Sequence, residues 1–485
     1  MLTGFKYLAK KASSLFATKS ATYPIVIPRD KHTLSRSGLS PNAIKVLYRL
    51  NKEGFDAYLV GGCVRDHLID IEPKDFDVVT NATPEEVHAI FSNSRLIGRR
   101  FRLVHVTYGR EIIEVSTFRA NSAPTDESKE INGDSGNLKG KDSARSAHGI
   151  ILRDNVWGDI EQDAQRRDFT FNALYYNVAD FSIHDYCGGL EDIQKQQVRM
   201  IGDASQRYQE DPVRMLRAVR FAAKLNFEIE PNTANPIKDM AHLLDHIPPA
   251  RLFEEVLKLL GSGNGVATYH LLREYGLFRY LFPETDDLIR SNWKNPHIDV
   301  EKFILQGLKN TDNRIQEGKS TAPYFLYAIL LWPKVLHRHT EFLAQGLPET
   351  PALHQAASLV LDNQVAHTSI PRRFSTPMRE IWDLQFRLPK RFGKRAFTLE
   401  QHPRFRAAFD FILIREESGS DLDNLGSWWQ DFQDANDKGR LDLINKADPL
   451  KNGKKLPAKR RPRRRKPNSK RVISSVDSGD SVSHE

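Results

Sequence analysis

Two carboxylates separated by one residue, Asp75 and Asp77, have the spacing in this 485-residue chain that points most directly to chemistry. Side chains at positions i and i+2 of a β-strand project to the same face, so both acids can bind one metal pair while Phe76 points into the core. Two hard cations about 3.5 to 4 Å apart can activate an attacking hydroxyl and neutralise a leaving phosphate. Magnesium suits this because it prefers oxygen ligands. The spacing predicts a metal-dependent nucleotidyl-transfer site, and an ordinary half-exposed strand is the alternative.

A glycine pair, Gly61 and Gly62, precedes these acids and follows the apolar segment 57–60. Because glycine has no β-carbon, backbone amides in such a turn can approach a triphosphate closely. Arg65, three residues after the pair, supplies positive charge. We therefore predict one site made of a strand, a phosphate-binding turn and a two-acid strand, rather than a plain turn.

A third acidic group is needed, and the spacing offers two candidates. Glu114 lies in the middle of a predicted strand that is expected to pair with the strand of Asp75 and Asp77. Asp168 follows two arginines at the start of an apolar segment, where neighbouring cations would keep a carboxylate ionised. An exposed strand glutamate and a helix cap are the structural alternatives, and spacing alone does not decide between the two acids.

A predicted helix carries three arginines at every third position. Asp211 is expected to cap it, with Pro212 as its first residue. Arg214, Arg217 and Arg220 then form a slanted basic stripe opposite an apolar side. Such a stripe can bind phosphates, or together with Asp211 can offer both an acceptor and donors to one base edge. A solvated charged face would have a similar pattern.

The elements that must position these residues are mixed up to about residue 190 and helical afterwards. Residues 121–149 are rich in Ser, Gly, Asp, Lys and Asn and cannot bury enough apolar surface to fold. We predict an α+β fold in which a mixed-sheet head precedes an all-α part. The predicted boundaries are a flexible N-terminal arm at 1–35, the head at 36–190 with a flexible insertion at 121–149, a nucleotide- and RNA-contacting helical neck at 191–260, an RNA-binding helical body at 261–450, and a disordered basic tail at 451–485.

The net charge of +9 belongs mainly to the tail, since eleven Lys and Arg and no acid lie between Lys454 and Arg471. We expect the segment 454–471 to bind a polyanion through phosphate charge and counterion release, without reading its sequence. A solvated tail without a partner is the alternative.

Cys63 and Cys187 are too few and too far apart for a zinc site or a disulfide framework, so the sequence favours a reducing, cytoplasmic compartment. No apolar run is long enough to cross a membrane. Residues before Asp30 include no acid, as in a transit peptide, but they lack its arginine richness and favour a loose arm.

Several of these motifs, in this order, resemble class II nucleotidyltransferases of the polymerase-beta superfamily, which include tRNA CCA-adding enzymes and bacterial poly(A) polymerases. A further segment, 96–106, is similar to the signature that separates bacterial poly(A) polymerases from their CCA-adding relatives. The motifs that carry the class II resemblance are the Gly-Gly-x-Val-Arg-Asp turn at 61–66, Asp75-x-Asp77, Arg166-Arg167-Asp168-Phe169 and Glu210-Asp211-Pro212-x-Arg214. The segment Ile247-Pro248-Pro249-Ala250-Arg251 and the basic tail add to the similarity with bacterial poly(A) polymerases.

The resemblance implies a polymerase-beta-like head and template-independent addition of AMP from ATP to RNA 3′ ends, with two Mg²⁺ ions and release of pyrophosphate. It implies metal binding by Asp75 and Asp77 and an active-site role for Asp168, which it favours over Glu114. It also implies triphosphate contacts and a nucleotide-selecting helix. The residues that match these last two roles are Gly61, Gly62 and Arg65 for the triphosphate, and Asp211, Arg214 and Arg217 for the nucleotide.

Two other functions remain as alternatives. A tRNA CCA-adding enzyme would share the same catalytic residues, but it requires neither the segment 96–106 nor the basic tail. An RNA-binding regulator that has lost catalysis would have no need of Asp75 and Asp77. Proteins of RNA decay or RNA chaperones are expected as possible partners.

Overall fold

The computed structural model describes residues 24–98, 102–120, 143–145, 151–154, 156–296 and 298–447. Most of the predicted insertion, residues 99–101 and the whole basic tail lie outside these ranges. The predicted arm at 1–35 extends too far, because residues 25–27 form a strand of the main sheet and Leu34 is buried. The apolar Ile25-Val26-Ile27 segment explains this difference, since it can pair with a sheet edge.

The head is built on one mixed eight-stranded sheet, as predicted. Its strand order is β1-β10-β9-β2-β3-β6-β5-β4, with β3 and β6 parallel and the other neighbours antiparallel. Its strands are β1 (Ile25–Ile27), β2 (Ala57–Val60), β3 (Asp77–Thr80), β4 (Ser94–Ile97), β5 (Leu103–Tyr108), β6 (Glu111–Thr117), β9 (Leu174–Asn177) and β10 (Ile183–Asp185). Two smaller pairs are β7 (Ser143–Arg145) with β8 (Ile151–Asp154), and β11 (Gln197–Val198) with β12 (Glu228–Ile229).

Short helices pack around the sheet of the head. Ser40 caps the first of these helices, whose first residue is proline. Thr83 forms a capping box with Glu86 at the start of the third helix. The head helices are α1 (Pro41–Lys52), α2 (Gly62–Leu68), α3 (Pro84–Ile90), α4 (Ile160–Arg166) and α5 (Gly189–Lys195).

From residue 204 onward, helices dominate the described chain and β12 is its one strand. Within the described ranges, none of these helices is long and apolar enough to span a membrane. They are α6 (Ala204–Glu210), α7 (Val213–Leu225), α8 (Pro231–Ala234), α9 (Ile237–Met240), α10 (Pro249–Leu260), α11 (Gly265–Glu274), α12 (Phe278–Leu281), α13 (Pro283–Arg290), α14 (Val300–Gln316), α15 (Pro323–Ala344), α16 (Glu349–Val365), α17 (Arg372–Arg387), α18 (Arg395–Glu400), α19 (Phe405–Glu417), α20 (Leu425–Asp434) and α21 (Asp437–Ala447).

The two faces of the sheet have different surroundings. Val78, Val104, Ile113 and Val115 point into the main core, which continues into the helical part of the molecule. The residues that alternate with them, including Asp77 and Glu114, occupy the other face, where a smaller apolar cluster lies near α4. This second face carries the candidate site.

Candidate active site

Asp77 is the first residue of β3 and stands opposite Val60 on β2 and Glu114 on β6. Asp75 lies two residues before the strand, so the prediction that both acids share a strand is wrong for Asp75. The cause is the neighbouring strand: β2 ends at Val60 because Gly61 turns the chain away. Both acids are exposed to solvent beside this turn.

The carboxylates around Asp77 are crowded. Solvent reaches its side chain from one side, but the surrounding protein removes enough water to raise the pKa of Asp77 to about 6, with help from the charge of Glu114. Arg167 opposes this increase in pKa. Among the described residues, no group of three or more His, Cys, Asp or Glu side chains is placed to hold a metal unaided. Two or three oxygen ligands still fit magnesium, since it completes its shell with water and substrate phosphate.

The Gly61 turn borders Asp77 closely. Gly61 has φ 78° and ψ −131°, a backbone conformation that residues other than glycine rarely adopt. A β-carbon at this position would lie 3.7 Å from Arg167 Nη1 and 4.0 Å from Asp77 Oδ2. The predicted juxtaposition of the glycine turn and the acids is therefore present, and it includes Arg167.

Arg65 is buried below this turn, and its hydrogen bonds go to protein groups. Its Nε donates to Asp66 Oδ1 over 2.8 Å, and its Nη1 donates to Asn172 Oδ1 over 2.6 Å. A β-carbon at Gly62 would lie 3.5 Å from Arg65 Nη2. The guanidinium group thus lies next to the turn but is engaged by Asp66 and Asn172, and its contact with a triphosphate stays a prediction.

Asp168 is tied to the helix that follows the head. Its Oδ2 accepts from Arg217 Nε over 2.6 Å, and its Oδ1 accepts from Asn172 Nδ2 over 3.1 Å and from its neighbour's backbone amide. Burial acts to raise the pKa of Asp168, but Arg217 and the hydrogen bonds lower it to about 2. The contacts of Asp168 therefore join head and neck, whereas Glu114 stands directly opposite Asp77.

Arg167 is held in place by a buried pair. Its Nε donates to Tyr175 Oη over 3.0 Å and its Nη2 donates to Asp163 Oδ2 over 3.0 Å. Tyr175 Oη also donates to Asp163 Oδ2, over 2.8 Å. Sequence reasoning did not identify Asp163 or Tyr175, because their role depends on β9 and α4 meeting in the fold.

The arginine helix α7 begins one residue later than predicted, at Val213, and Asp211 accepts from the Val213 amide over 3.3 Å. Asp211 Oδ2 also accepts from Arg251 Nη2 over 2.7 Å. Arg214 Nη1 donates to Glu210 Oε2 over 3.0 Å and to a backbone carbonyl of α6. Asp211 and Arg214, which are expected to read a base, are therefore both fixed by hydrogen bonds to other protein residues.

Three guanidinium groups surround the ring of Phe221. Their central carbons lie 5.1 Å (Arg65), 5.3 Å (Arg217) and 4.7 Å (Arg220) from the ring centroid. Arg65 and Arg217 have carboxylate partners, but Arg220 has neither a hydrogen bond nor an ion pair with any described residue. Burial lowers the pKa of Arg220 to about 10, with Arg217 contributing. The arginine spacing is the sequence signal that identifies Arg220 as a third binding candidate.

Three sequence families match parts of the chain. Residues 57–199 match "Poly A polymerase head domain", residues 226–289 match "Probable RNA and SrmB- binding site of polymerase A", and residues 345–467 match "Polymerase A arginine-rich C-terminus". The matches follow the order of head, neck and body along the chain.

The chain is 48% identical over 465 residues to Poly(A) polymerase I of Salmonella typhi, covering 95% of this chain and 97% of that protein. A CCA-adding enzyme of Staphylococcus haemolyticus is 33% identical over 277 residues, 56% of this chain and 64% of that enzyme. The crystal structure of Bacillus stearothermophilus CCA-adding enzyme in complex with CTP is similar over 85% of this chain and 84% of its own, with TM-score 0.50 and 26% identity. CCA-adding enzymes are thus more distant relatives, and the chain belongs to the bacterial poly(A) polymerase I family.

Proposed function

We propose that the chain is a polynucleotide adenylyltransferase that adds AMP from ATP to RNA 3′ ends by in-line transfer at Asp75 and Asp77. The observation that carries this proposal is the near full-length relationship to Poly(A) polymerase I of Salmonella typhi. The intact acid pair beside a glycine turn supports it, since a binding protein without catalysis would not need the acids.

In the proposed reaction, the 3′ oxygen of RNA forms a bond to the α-phosphorus of ATP. The bond from that phosphorus to the oxygen bridging to the β-phosphate breaks, and pyrophosphate leaves with the bonding electrons. The hydroxyl proton passes to a nearby carboxylate or to water. No covalent enzyme intermediate is needed, so the protein acts by positioning the reactants and by balancing charge.

Asp75 and Asp77 would hold two Mg²⁺ ions, which activate the attacking hydroxyl and neutralise charge on the leaving phosphate. The donor set supports this, because exposed carboxylates crowd around Asp77 at the glycine turn. Glu114, opposite Asp77, is the better-placed third acid by geometry. Asp168 remains a candidate from the family motif, and it can also act by fixing Arg217.

The nucleotide is proposed to lie between the glycine turn and α7. Gly61 and Gly62 would allow backbone approach to the triphosphate, with Arg65 adjacent. Its base would face Asp211 and Arg214, which the contacts described above hold in fixed positions. Arg217 and Arg220 add positive charge on the same helix.

The RNA acceptor is proposed to contact the helical neck and body and the basic segment 454–471, which lies outside the described ranges. Eleven basic residues and no acid suit a polyanion. Proteins of RNA decay or RNA chaperones are proposed as additional partners.

The test offers the protein magnesium, a generic RNA or a tRNA lacking its 3′ end, and either ATP or CTP. Long tails made from ATP on generic RNA are expected. Addition dependent on CTP and limited to the tRNA would contradict the proposal, as would retained AMP incorporation by an Asp75→Ala, Asp77→Ala double variant that unfolds at the wild-type temperature.

A further inference from the structure

One face of the head sheet continues outward from the candidate metal site. Asp77, Glu114 and His105 are aligned in register across three neighbouring strands, β3, β6 and β5. His105 Nε2 lies 3.6 Å from Glu114 Oε2. These side chains are exposed or half-buried, whereas the neighbours that alternate with them, such as Val104 and Ile113, are buried. This face of the sheet is therefore accessible to solvent beside the acids.

A cavity of about 280 Å³ lies on this face, between β5, β6 and the end of α4. Its walls include Leu103, Glu114 and Ser116 from the strands. Arg119, Arg166 and Arg167 line it from the other side, together with Thr117 and Asp163, which is ion-paired with Arg167. Three arginines against two acids leave the lining with an excess of positive charge, and with its hydroxyl groups and apolar side chain it suits a ribose with its phosphate.

The cavity shares two walls with the site of Asp77. Glu114 is the residue opposite Asp77 on β6. Arg167 reaches the Gly61 turn, where its Nη1 would lie 3.7 Å from a β-carbon at Gly61. A ligand in the cavity would therefore be adjacent to the acids, rather than at a separate surface.

The strand order determines on which side of β3 the cavity lies. The glycine turn follows β2, on one side of β3, while the cavity lies over β6 and β5, on the other side. In an in-line displacement, the attacking and leaving oxygens are on opposite sides of the transferred phosphorus. If the triphosphate occupies the glycine turn, its pyrophosphate leaves on the β2 side, and the attacking hydroxyl must arrive from the β6 side.

We propose that this cavity, with the adjoining face of β5 that carries His105, is the subsite for the 3′-terminal nucleotide of the acceptor RNA. The inference rests on the proposed function, because it places the triphosphate at the glycine turn. Arg119 and Arg166 supply charge for the terminal phosphodiester, and Ser116 offers a hydroxyl to the ribose. Leu103 and the His105 ring provide the surface against which a base can stack.

The test compares Leu103→Ala and His105→Ala with Ile112→Ala. Ile112 is a matched control, since it is 51% exposed on the same face of β6 but two residues further from the cavity. We expect the first two variants to raise the KM for a short RNA primer about tenfold, the effect of losing a stacking contact, with the KM for ATP unchanged. The control should change neither constant, and all three should unfold at the wild-type temperature.

If the KM for ATP rises in these variants and the KM for RNA does not, the cavity holds the triphosphate and the proposed subsite is wrong. If neither constant changes, the subsite is also wrong. A second measurement does not depend on catalysis: RNA carrying a 3′-terminal photoreactive base should crosslink within residues 103–119. Crosslinking elsewhere contradicts the subsite. Crosslinking there by a protein that incorporates no AMP would refute the proposed function and leave the RNA subsite supported.

Discussion

Glu114 and Asp168, the two candidates for the third acid, differ in what surrounds their carboxylates, since that of Asp168 is bonded to Arg217 on α7. Glu114 is half-exposed and stands opposite Asp77. We expect Glu114→Gln to reduce AMP incorporation by about 10² to 10³, the cost of removing one charged group from a reacting centre. The melting temperature should stay at the wild-type value, because no buried group loses a partner.

Steady-state incorporation of labelled AMP at saturating magnesium measures this effect. The control Glu111→Gln removes the same charge from the opposite face of β6, where the carboxylate accepts from Ser40 and Asn42, so incorporation is compared per folded molecule. Activity of Glu114→Gln within a few-fold of the wild type would eliminate Glu114 as the third acid.

Arg220 is the one of the three arginines around Phe221 that forms no ion pair with a described residue, and its buried Nε has no hydrogen-bond partner there. A desolvated cation of this kind is stabilised when a phosphate approaches it. Arg220→Met should therefore raise the KM for ATP by about tenfold, since a hydrogen bond to a charged group contributes about 1.5 to 3 kcal/mol. Initial rates at varied ATP and saturating RNA measure it. An unchanged KM for ATP, with the fold intact, would remove Arg220 from the nucleotide site.

At the scale of elements, a chain of polar contacts fastens α7 to the head. Arg217 on α7 binds Asp168, and Asn172 connects Asp168 to Arg65. Arg65 binds Asp66, which in turn accepts from Lys224, again on α7, over 3.1 Å. The two contacts on α7 lie about two turns apart, so the angle of this helix to the head is fixed at two points.

This contact chain predicts how stability depends on pH. The folded pKa of Asp168, about 2, is below its ordinary value of 3.8, so its contribution is present above pH 4 and is lost as pH falls towards 2. Asp168→Asn should lower the free energy of unfolding by about 2 kcal/mol at pH 7. The difference from the wild type should shrink steadily below pH 4. Urea unfolding at pH 7, 4 and 3 measures it, and a deficit that does not change with pH would contradict the electrostatic origin.

The elements that sequence reasoning located well are those with local signals. Caps and prolines mark the starts of α1 and α3, and alternation of apolar and polar residues marks β5 and β6. The departure of Asp75 from β3 had no local signal, because it depends on where the neighbouring β2 ends. The contacts of Asn172, Asp163 and Tyr175 were likewise not predictable, since each joins segments brought together by the fold. Local patterns thus identify the candidate site residues, and tertiary pairing determines which residues support them.

At the scale of the whole molecule, charge is divided between a folded part and a basic segment. The segment 454–471 holds eleven basic residues, more than the total excess of nine. The remaining chain is therefore slightly acidic, and its positive groups near the site, such as Arg65 and Arg217, are largely balanced by carboxylates. We therefore expect long-range attraction of RNA to come mainly from the basic segment.

A variant that ends at Ala447 tests this division of roles. Each neutralised phosphate adds about 0.9 to the slope of log affinity against log salt on duplex nucleic acid and about 0.7 on single strands. Removal of the segment should therefore weaken RNA binding most at low salt and make the slope shallower, whereas incorporation of AMP at saturating RNA should change little. Fluorescence anisotropy with a single-stranded RNA at 50 to 300 mM salt measures the slope.

A control with the eleven basic residues replaced by glutamine keeps the chain length, and it should behave like the truncation, because charge and not length attracts the RNA. Equal slopes for the truncated and full chains would place RNA attraction in the folded helices instead.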